Sequence, residues 1–436
     1  ELGVAGAAIG DLEALLPEDR FEADAEWLET KARLRAAADL EPEVPEGLQA
    51  DLRSYQREGI TWLERVASWS SGACLADDMG LGKTLQALAL ALEREEEGPT
   101  LVVCPTSLSD NWRKECERFT PALRPRIYRG PDRAAMVKTF APGDLVITSY
   151  DILLRDVEAL KELRFALAIF DEAHALKNPE AARTKAARQL DAGFTLALTG
   201  TPLENHLGEL WSLYSILVPG LLGPWKHFRA RFAIPIERDN DAARRERLRE
   251  MLRPFLLRRT ASQVAPELPP RTEVVRSIEL SDDERALYEA ERRQALEQLA
   301  ARAEDNKKRF AVLGALTRLR RLACHPTLVH PDSRVSSSKL AELMELAADL
   351  RREGHRSLVF SQFTSHLAIV RRALEAKGWE ILYLDGATPA AKRSELVERW
   401  QKGDAPFFLI SLKAGGTGLN LTAADTVIHL DPWWNP

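Results

Sequence analysis

Residues Ala73 to Thr84 (ACLADDMGLGKT) place an apolar run before a glycine-bearing turn and a Gly82-Lys83-Thr84 triplet. A second apolar stretch, Leu85 to Leu92, follows. This order suits polyphosphate. Main-chain N–H groups at a helix N-terminus point at the anion, and the helix dipole favours its charge. Gly80 and Gly82 let the backbone of Asp78, Met79, Gly80, Leu81 and Gly82 come close. Lys83 then reaches the β/γ-phosphates and Thr84 offers its hydroxyl to Mg²⁺. The full phosphate-loop pattern would have glycine at 77, where this chain has Asp77. Downstream, Phe165 to Phe170 (FALAIF) runs into Asp171-Glu172-Ala173-His174. Carboxylates at the tip of a buried strand lie where α/β folds bind ligands. Asp171 would hold Mg²⁺ through water, and Glu172 would orient and deprotonate the attacking water. Phosphoryl transfer needs little more than positioning and charge neutralisation. The tetrapeptide alone also suits a plain helix N-terminus; the upstream loop selects ATP hydrolysis.

These groups need a scaffold, and the pattern supplies one. Short apolar runs at 101–104, 145–148, 165–170 and 195–198 alternate with helical stretches. That predicts a parallel sheet covered on both faces. The pattern of 205–260 reads as helical. Its segment 226–259 holds 11 Lys or Arg against 5 Asp or Glu, either a solvated helix face or a DNA-facing protrusion. Glu267-Leu268-Pro269-Pro270-Arg271 is a rigid break, and Ser281 to Glu284 reads as a capping box opening a long helix. A second alternating region follows Ser336-Ser337-Ser338, with apolar runs at 357–360, 381–384, 407–410 and 427–430. The expected fold class is therefore α/β, with two parallel-sheet units flanking a helical middle. The expected segments are an acidic helical extension (1–45), a first lobe (46–204), one helical protrusion (205–265), a linker with a second protrusion (266–335) and a second lobe (336–436).

The 436 residues are 45% hydrophobic and 29% charged, which excludes collagen, a wholly disordered chain and a disulfide miniprotein. Cys74, Cys104, Cys116 and Cys324 form no C-x-x-C pair and the eight His have no ligand spacing, so no zinc is assigned. No apolar run is long enough to span a bilayer, so no membrane partner is expected. Without Met or a leader at the start, the chain reads as a fragment of a cytosolic protein. Net charge is −6, but residues 1–50 alone hold 13 acidic and 4 basic groups. That segment is either a solvated helical extension or an acidic flap competing with DNA. A phosphate backbone senses the local field, so a basic groove elsewhere remains open.

In their order along the chain, the motifs resemble the Swi/Snf-like ATPases of helicase superfamily two. The resemblance spans most of 48–436. It rests on Leu52 to Leu63 (LRSYQREGITWL), the phosphate loop, Val103 to Trp112 (VCPTSLSDNW), Ile147 to Tyr150 and Leu198 to Asn205 (LTGTPLEN). It continues through Pro254 to Arg259 (PFLLRR), Leu319 to Pro326 (LRRLACHP), Ser357 to Phe363, Leu384 to Thr388, Leu409 to Asp425 and Asp431 to Pro436 (DPWWNP). Asp78 replaces the family's usual Glu. The resemblance implies two RecA-like lobes with helical insertions and ATP with Mg²⁺ as cofactors. It implies DNA-stimulated ATP hydrolysis driving motion along double-stranded DNA without strand separation; a strand-separating helicase and a weakly hydrolysing ATP/DNA scaffold are the alternatives.

By the same resemblance Gln56 reads the adenine edge. His174, Thr199, Gly200 and Thr201 couple ATP state to lobe movement. Ser107, Asn111, Trp112, Thr148, Ser149, Gln362, Lys413, Gly415, Gly416 and Gly418 face DNA, with Trp112 equally suited to being a packed surface aromatic, while Trp433 and Trp434 pack. A DNA-bound protein, such as a nucleosome or RNA polymerase, would be the load. The setting would be the cytoplasm or nucleoid of a bacterium, or a nucleus. The family's final motif continues into arginines after its Asn-Pro, so the second lobe is expected to be incomplete at its C-terminus.

Overall fold

The computed structural model describes residues 32–33, 36–37, 39–200, 206–264, 272–300, 306–415, 419 and 421–432. It divides into two compact units, 1–270 and 271–436. The acidic extension lies largely outside the described residues, as do Thr201, Gly416, Gly418, Trp433 and Trp434.

The first unit is built on a seven-stranded sheet of order β3-β4-β2-β5-β6-β1-β7. Its strands are β1 (Gly72–Leu75), β2 (Thr100–Cys104), β3 (Arg124–Ile127), β4 (Asp144–Ser149), β5 (Arg164–Asp171), β6 (Asp191–Leu198) and β7 (Leu256–Leu257). Every pairing is parallel. β1, β2 and β4 are buried along their whole length, as the unbroken apolar runs require for a sheet covered on both sides. The covering helices include α1 (Ser54–Ala67), α2 (Lys83–Glu93), α3 (Ser109–Phe119), α4 (Tyr150–Leu160) and α5 (Leu207–Leu217).

Segment 205–265, expected as a helical protrusion, is helical through α6 (Ala242–Leu252), but then returns to the sheet as β7. β7 pairs with β1, setting Leu256 beside Cys74 and Leu257 beside Leu75. The protrusion thus begins and ends on the first unit's own sheet.

The second unit opens with the expected capping box. The Ser281 N–H donates to Glu284 Oε2 (3.0 Å), and the Glu284 N–H donates to Ser281 Oγ (3.3 Å). Helices α7 (Asp282–Ala300) and α8 (Asn306–Cys324) follow, joined by an Arg318–Glu291 ion pair. Ser337 then caps α9 (Ser338–Arg352) by accepting from the Leu340 N–H. A four-stranded parallel sheet, order β11-β8-β10-β9, completes the unit. It comprises β8 (Ser357–Ser361), β9 (Ile381–Leu384), β10 (Phe407–Ser411) and β11 (Thr426–His429), flanked by α10 (Thr364–Ala376) and α11 (Ala390–Lys402).

Candidate active site

Register assembles the site. Leu75 at the end of β1 lies level with Leu198 of β6, and Leu198 with Asp171 of β5. Three neighbouring strands therefore end together. They deliver the phosphate loop, Thr199-Gly200 and Asp171-Glu172 to one edge of the sheet. Thr199 is held there by its N–H to the Leu75 carbonyl (3.2 Å).

Between β1 and α2 the loop turns at Gly82, in the left-handed region (φ +76°). A Cβ there would fall 2.5 Å from Gln56 Nε2. Gln56 is buried in the first turn of α1. Its Oε1 accepts from the Arg53 N–H (3.0 Å) and its Nε2 donates to the Leu81 carbonyl (3.4 Å). Lys83 curls under the loop and donates to the Asp77 and Asp78 carbonyls (2.6 and 3.1 Å). Burial lowers its pKa, opposed by Glu172, Asp171, Asp77 and Asp78. Leu81 is buried and Met79 exposed; Thr84 is half-buried at the start of α2.

Asp171 is almost fully buried. Burial pushes its carboxyl up to about 6, helped by the Glu172 charge and opposed by the Trp112 hydrogen bond and by Lys83. Trp112 Nε1 donates to Asp171 Oδ2 (2.8 Å), the Glu172 N–H to Oδ1 (2.9 Å), and the Tyr150 hydroxyl to the Asp171 carbonyl (2.7 Å). Glu172 adopts a left-handed backbone (φ +50°), uncommon for a side-chain-bearing residue and a place where functional sites hold strain. Its Oε2 lies 3.2 Å from Nδ1 of the exposed His174.

The donor set fits a magnesium nucleotide. A lysine ammonium, a hydroxyl at a helix start and two adjacent carboxylates share one sheet edge, where Lys83 has been desolvated beside four acidic side chains.

Three of the candidate DNA-facing residues, Trp112, Thr148 and Ser149, are buried. Trp112 is 1% exposed. It lies on the inner face of α3 with Cys116 one turn on, and its N–H answers Oδ2 of the buried Asp171 carboxylate. Thr148 and Ser149 end β4, an interior strand covered on both faces. Thr148 Oγ1 donates to the Tyr128 carbonyl (3.2 Å), and Ser149 Oγ caps α4 by accepting from the Ile152 N–H (3.3 Å). Ser107 and Asn111 are half-buried, and Asn111 Nδ2 donates to Glu115 (2.9 Å). In the second unit, Lys413 is exposed and Gly415 half-buried. The Gln362 N–H is fixed to Asp431 Oδ2 (3.1 Å).

The sequence reading missed Arg259. It is buried and ion-paired to the fully buried Asp77, the residue in place of the expected glycine. Breaking such a pair by removing one partner costs about 3–5 kcal/mol. The partners are 182 residues apart, so no local spacing links them; an acidic residue at the end of a buried strand was the available signal.

Spacing also hid a second-unit cluster, buried Cys324, His366 and Asp431, whose donor atoms lie within 4.8 Å of one another. Asp431 already accepts from Ser361 Oγ and the Gln362 N–H, and the Lys339 cation acts on both Cys324 and His366.

Residues 55–328 match the SNF2-related domain family, and 338–436 match the helicase conserved C-terminal domain. The chain belongs to the SNF2-related family. It carries the ATPase core of helicase superfamily two, with two RecA-like lobes. It is 37% identical over 420 residues to the putative ATP-dependent helicase/translocase YwqA of Bacillus subtilis, covering 93% of this chain and 45% of that protein. It is likewise 37% identical over 406 residues to the mouse chromodomain-helicase-DNA-binding protein 1-like, covering 88% and 44%. The chain thus spans about half the length of these curated relatives. The Sulfolobus solfataricus SWI2/SNF2 ATPase core, solved in complex with dsDNA, matches at 33% identity and a TM-score of 0.51, covering 91% of this chain and 85% of that one. Among the described residues no helix is long and apolar enough to cross a membrane.

Proposed function

We propose that the chain hydrolyses ATP at the edge of its first sheet and converts hydrolysis into movement along double-stranded DNA without separating the strands. The observation that carries this reading is the shared end-point of β1, β6 and β5, which gathers Lys83, Thr84, Asp171 and Glu172. Mg²⁺, held by Thr84 and through water by Asp171, would neutralise charge on the β- and γ-phosphates. Lys83 adds its ammonium to the same oxygens. Glu172 orients the attacking water and accepts its proton, while His174 steadies the Glu172 carboxylate. Trp112 and Tyr150 hold Asp171 from behind.

DNA binding is supported by the surface of the first protrusion. Lys226, Arg229, Arg231, Arg244, Arg245, Arg249, Arg253 and Arg258 are exposed. Such groups grip phosphates without reading sequence. The Sulfolobus core's complex with dsDNA and the helicase/translocase name of the Bacillus relative support the same partner. A motor on an unopened duplex meets proteins bound there, so the load is a DNA-bound protein.

The test pairs two substrates. With ATP, the chain should release a third strand from a triplex ahead of it and leave a forked duplex paired. Fork opening that keeps pace with ATP use would favour the strand-separating alternative.

A further inference from the structure

We infer that Arg259 is a positioning residue for ATP: it sets the phosphate loop through Asp77 and Gln86 and makes loop geometry depend on how the first protrusion returns to the sheet. This rests on the ATP-site reading above. The Arg259 guanidinium donates to both carboxylate oxygens of Asp77, to Gln86 Oε1 (2.9 Å) and to the Tyr55 carbonyl at the start of α1. Gln86 passes the constraint on, its Nε2 donating to the Gly82 and Leu81 carbonyls (3.3 and 3.5 Å). Those carbonyls belong to the turn that presents Lys83.

The main chain repeats the link. The Asp78 N–H donates to the Arg259 carbonyl (3.0 Å), and the Ala261 N–H to Asp78 Oδ2 (3.1 Å). The Ala76 N–H donates to the Leu257 carbonyl (2.7 Å). Residues 76 to 78 are therefore bonded, one after another, to 257 to 261. Packing allows little slack, because a Cβ on Gly59 would fall 1.8 Å from Gln86 Oε1 and 2.7 Å from the guanidinium. The buried guanidinium is taken up by Asp77, Gln86 and the Tyr55 carbonyl, so Arg259 acts through the loop. A lysine could not replace it, since one ammonium cannot make the planar two-oxygen pairing and also reach Gln86.

The experiment compares wild type with Arg259→Lys and Gln86→Met, reading kcat and KM for ATP, affinity for duplex DNA without nucleotide, and thermal midpoint. Gln86→Met leaves the Arg259–Asp77 pair in place, so it reads the relay even if Arg259→Lys does not fold. The inference expects the ATP KM to rise about tenfold in each folded variant, with nucleotide-free DNA affinity within about twofold of wild type. A lowered thermal midpoint with unchanged KM in Gln86→Met would overturn it, leaving Arg259 a purely structural anchor. Lys83→Ala run alongside separates the two readings. If wild type hydrolyses ATP and Lys83→Ala does not, the ATP-site reading stands whatever the Arg259 result.

Discussion

The two sheets treat their polar groups differently. At the edge of the first, each buried functional group is tied to a partner within its own unit: Lys83 to loop carbonyls, Asp171 to Trp112, Asp77 to Arg259. In the second unit Lys413 is exposed, while the buried His366 has an Nδ1 with no hydrogen-bond partner. A buried polar group without a partner carries a desolvation cost that a paired one avoids. The first edge is thus pre-organised by its own network, as electrostatic catalysis requires. The second unit keeps one buried histidine neutral, which makes its stability sensitive to acid.

Lys83→Ala should break the first side of this contrast most completely. Steady-state ATPase should fall by about 10²–10³ or more, the scale of losing a preorganised charge at a transition state. Duplex binding, followed by fluorescence anisotropy, should stay within a few-fold. Loss of both in a folded protein would argue against the assignment. Trp112→Phe keeps an aromatic ring but removes the donor to Asp171. A buried acceptor left unmatched costs about 1–3 kcal/mol, and ATPase should drop roughly tenfold as the carboxylate loses its anchor. Unchanged stability and turnover would mean the bond holds nothing.

His366 sharpens the second side. Burial lowers its pKa from 6.5 to about 4, opposed by Asp431. The unfolded chain therefore binds the proton first, and stability is lost as pH falls below 6.5 toward 4. Between pH 7 and pH 5 this amounts to about 2 kcal/mol. The urea midpoint of wild type should therefore fall relative to that of His366→Leu between pH 7 and pH 5, because the variant has no such proton to take up; parallel curves would contradict it. The smallest effect belongs to the exposed protrusion. Replacing Arg244 or Arg249 by Gln should lower the salt slope of DNA binding by about one for each phosphate no longer gripped, without changing ATPase in the absence of DNA.

Where the sequence was readable, local pattern and local chemistry coincided. Unbroken apolar runs predicted β2, β4, β5 and β6 and all four strands of the second sheet, and the Ser281–Glu284 spacing predicted its capping box. β3 escaped because Arg124-Pro125-Arg126-Ile127 has little apolar character. As an edge strand it tolerates both charge and proline. β7 escaped because two residues make no pattern. Arg259 was visible only as part of a family-like signature, since its meaning depends on Asp77 in a distant part of the chain. The choice between the two readings of Trp112 was hidden for a related reason. The amphipathic spacing of α3 was in the sequence, but the carboxylate that its indole serves lies 59 residues away.

ATP hydrolysis by wild type and by Glu172→Gln, each with and without duplex DNA, tests the central claim most directly. The account predicts DNA-stimulated turnover in wild type and its loss in the variant, with ATP binding retained, because only the group aimed at the attacking water has changed. Turnover by Glu172→Gln at the wild-type rate would contradict it.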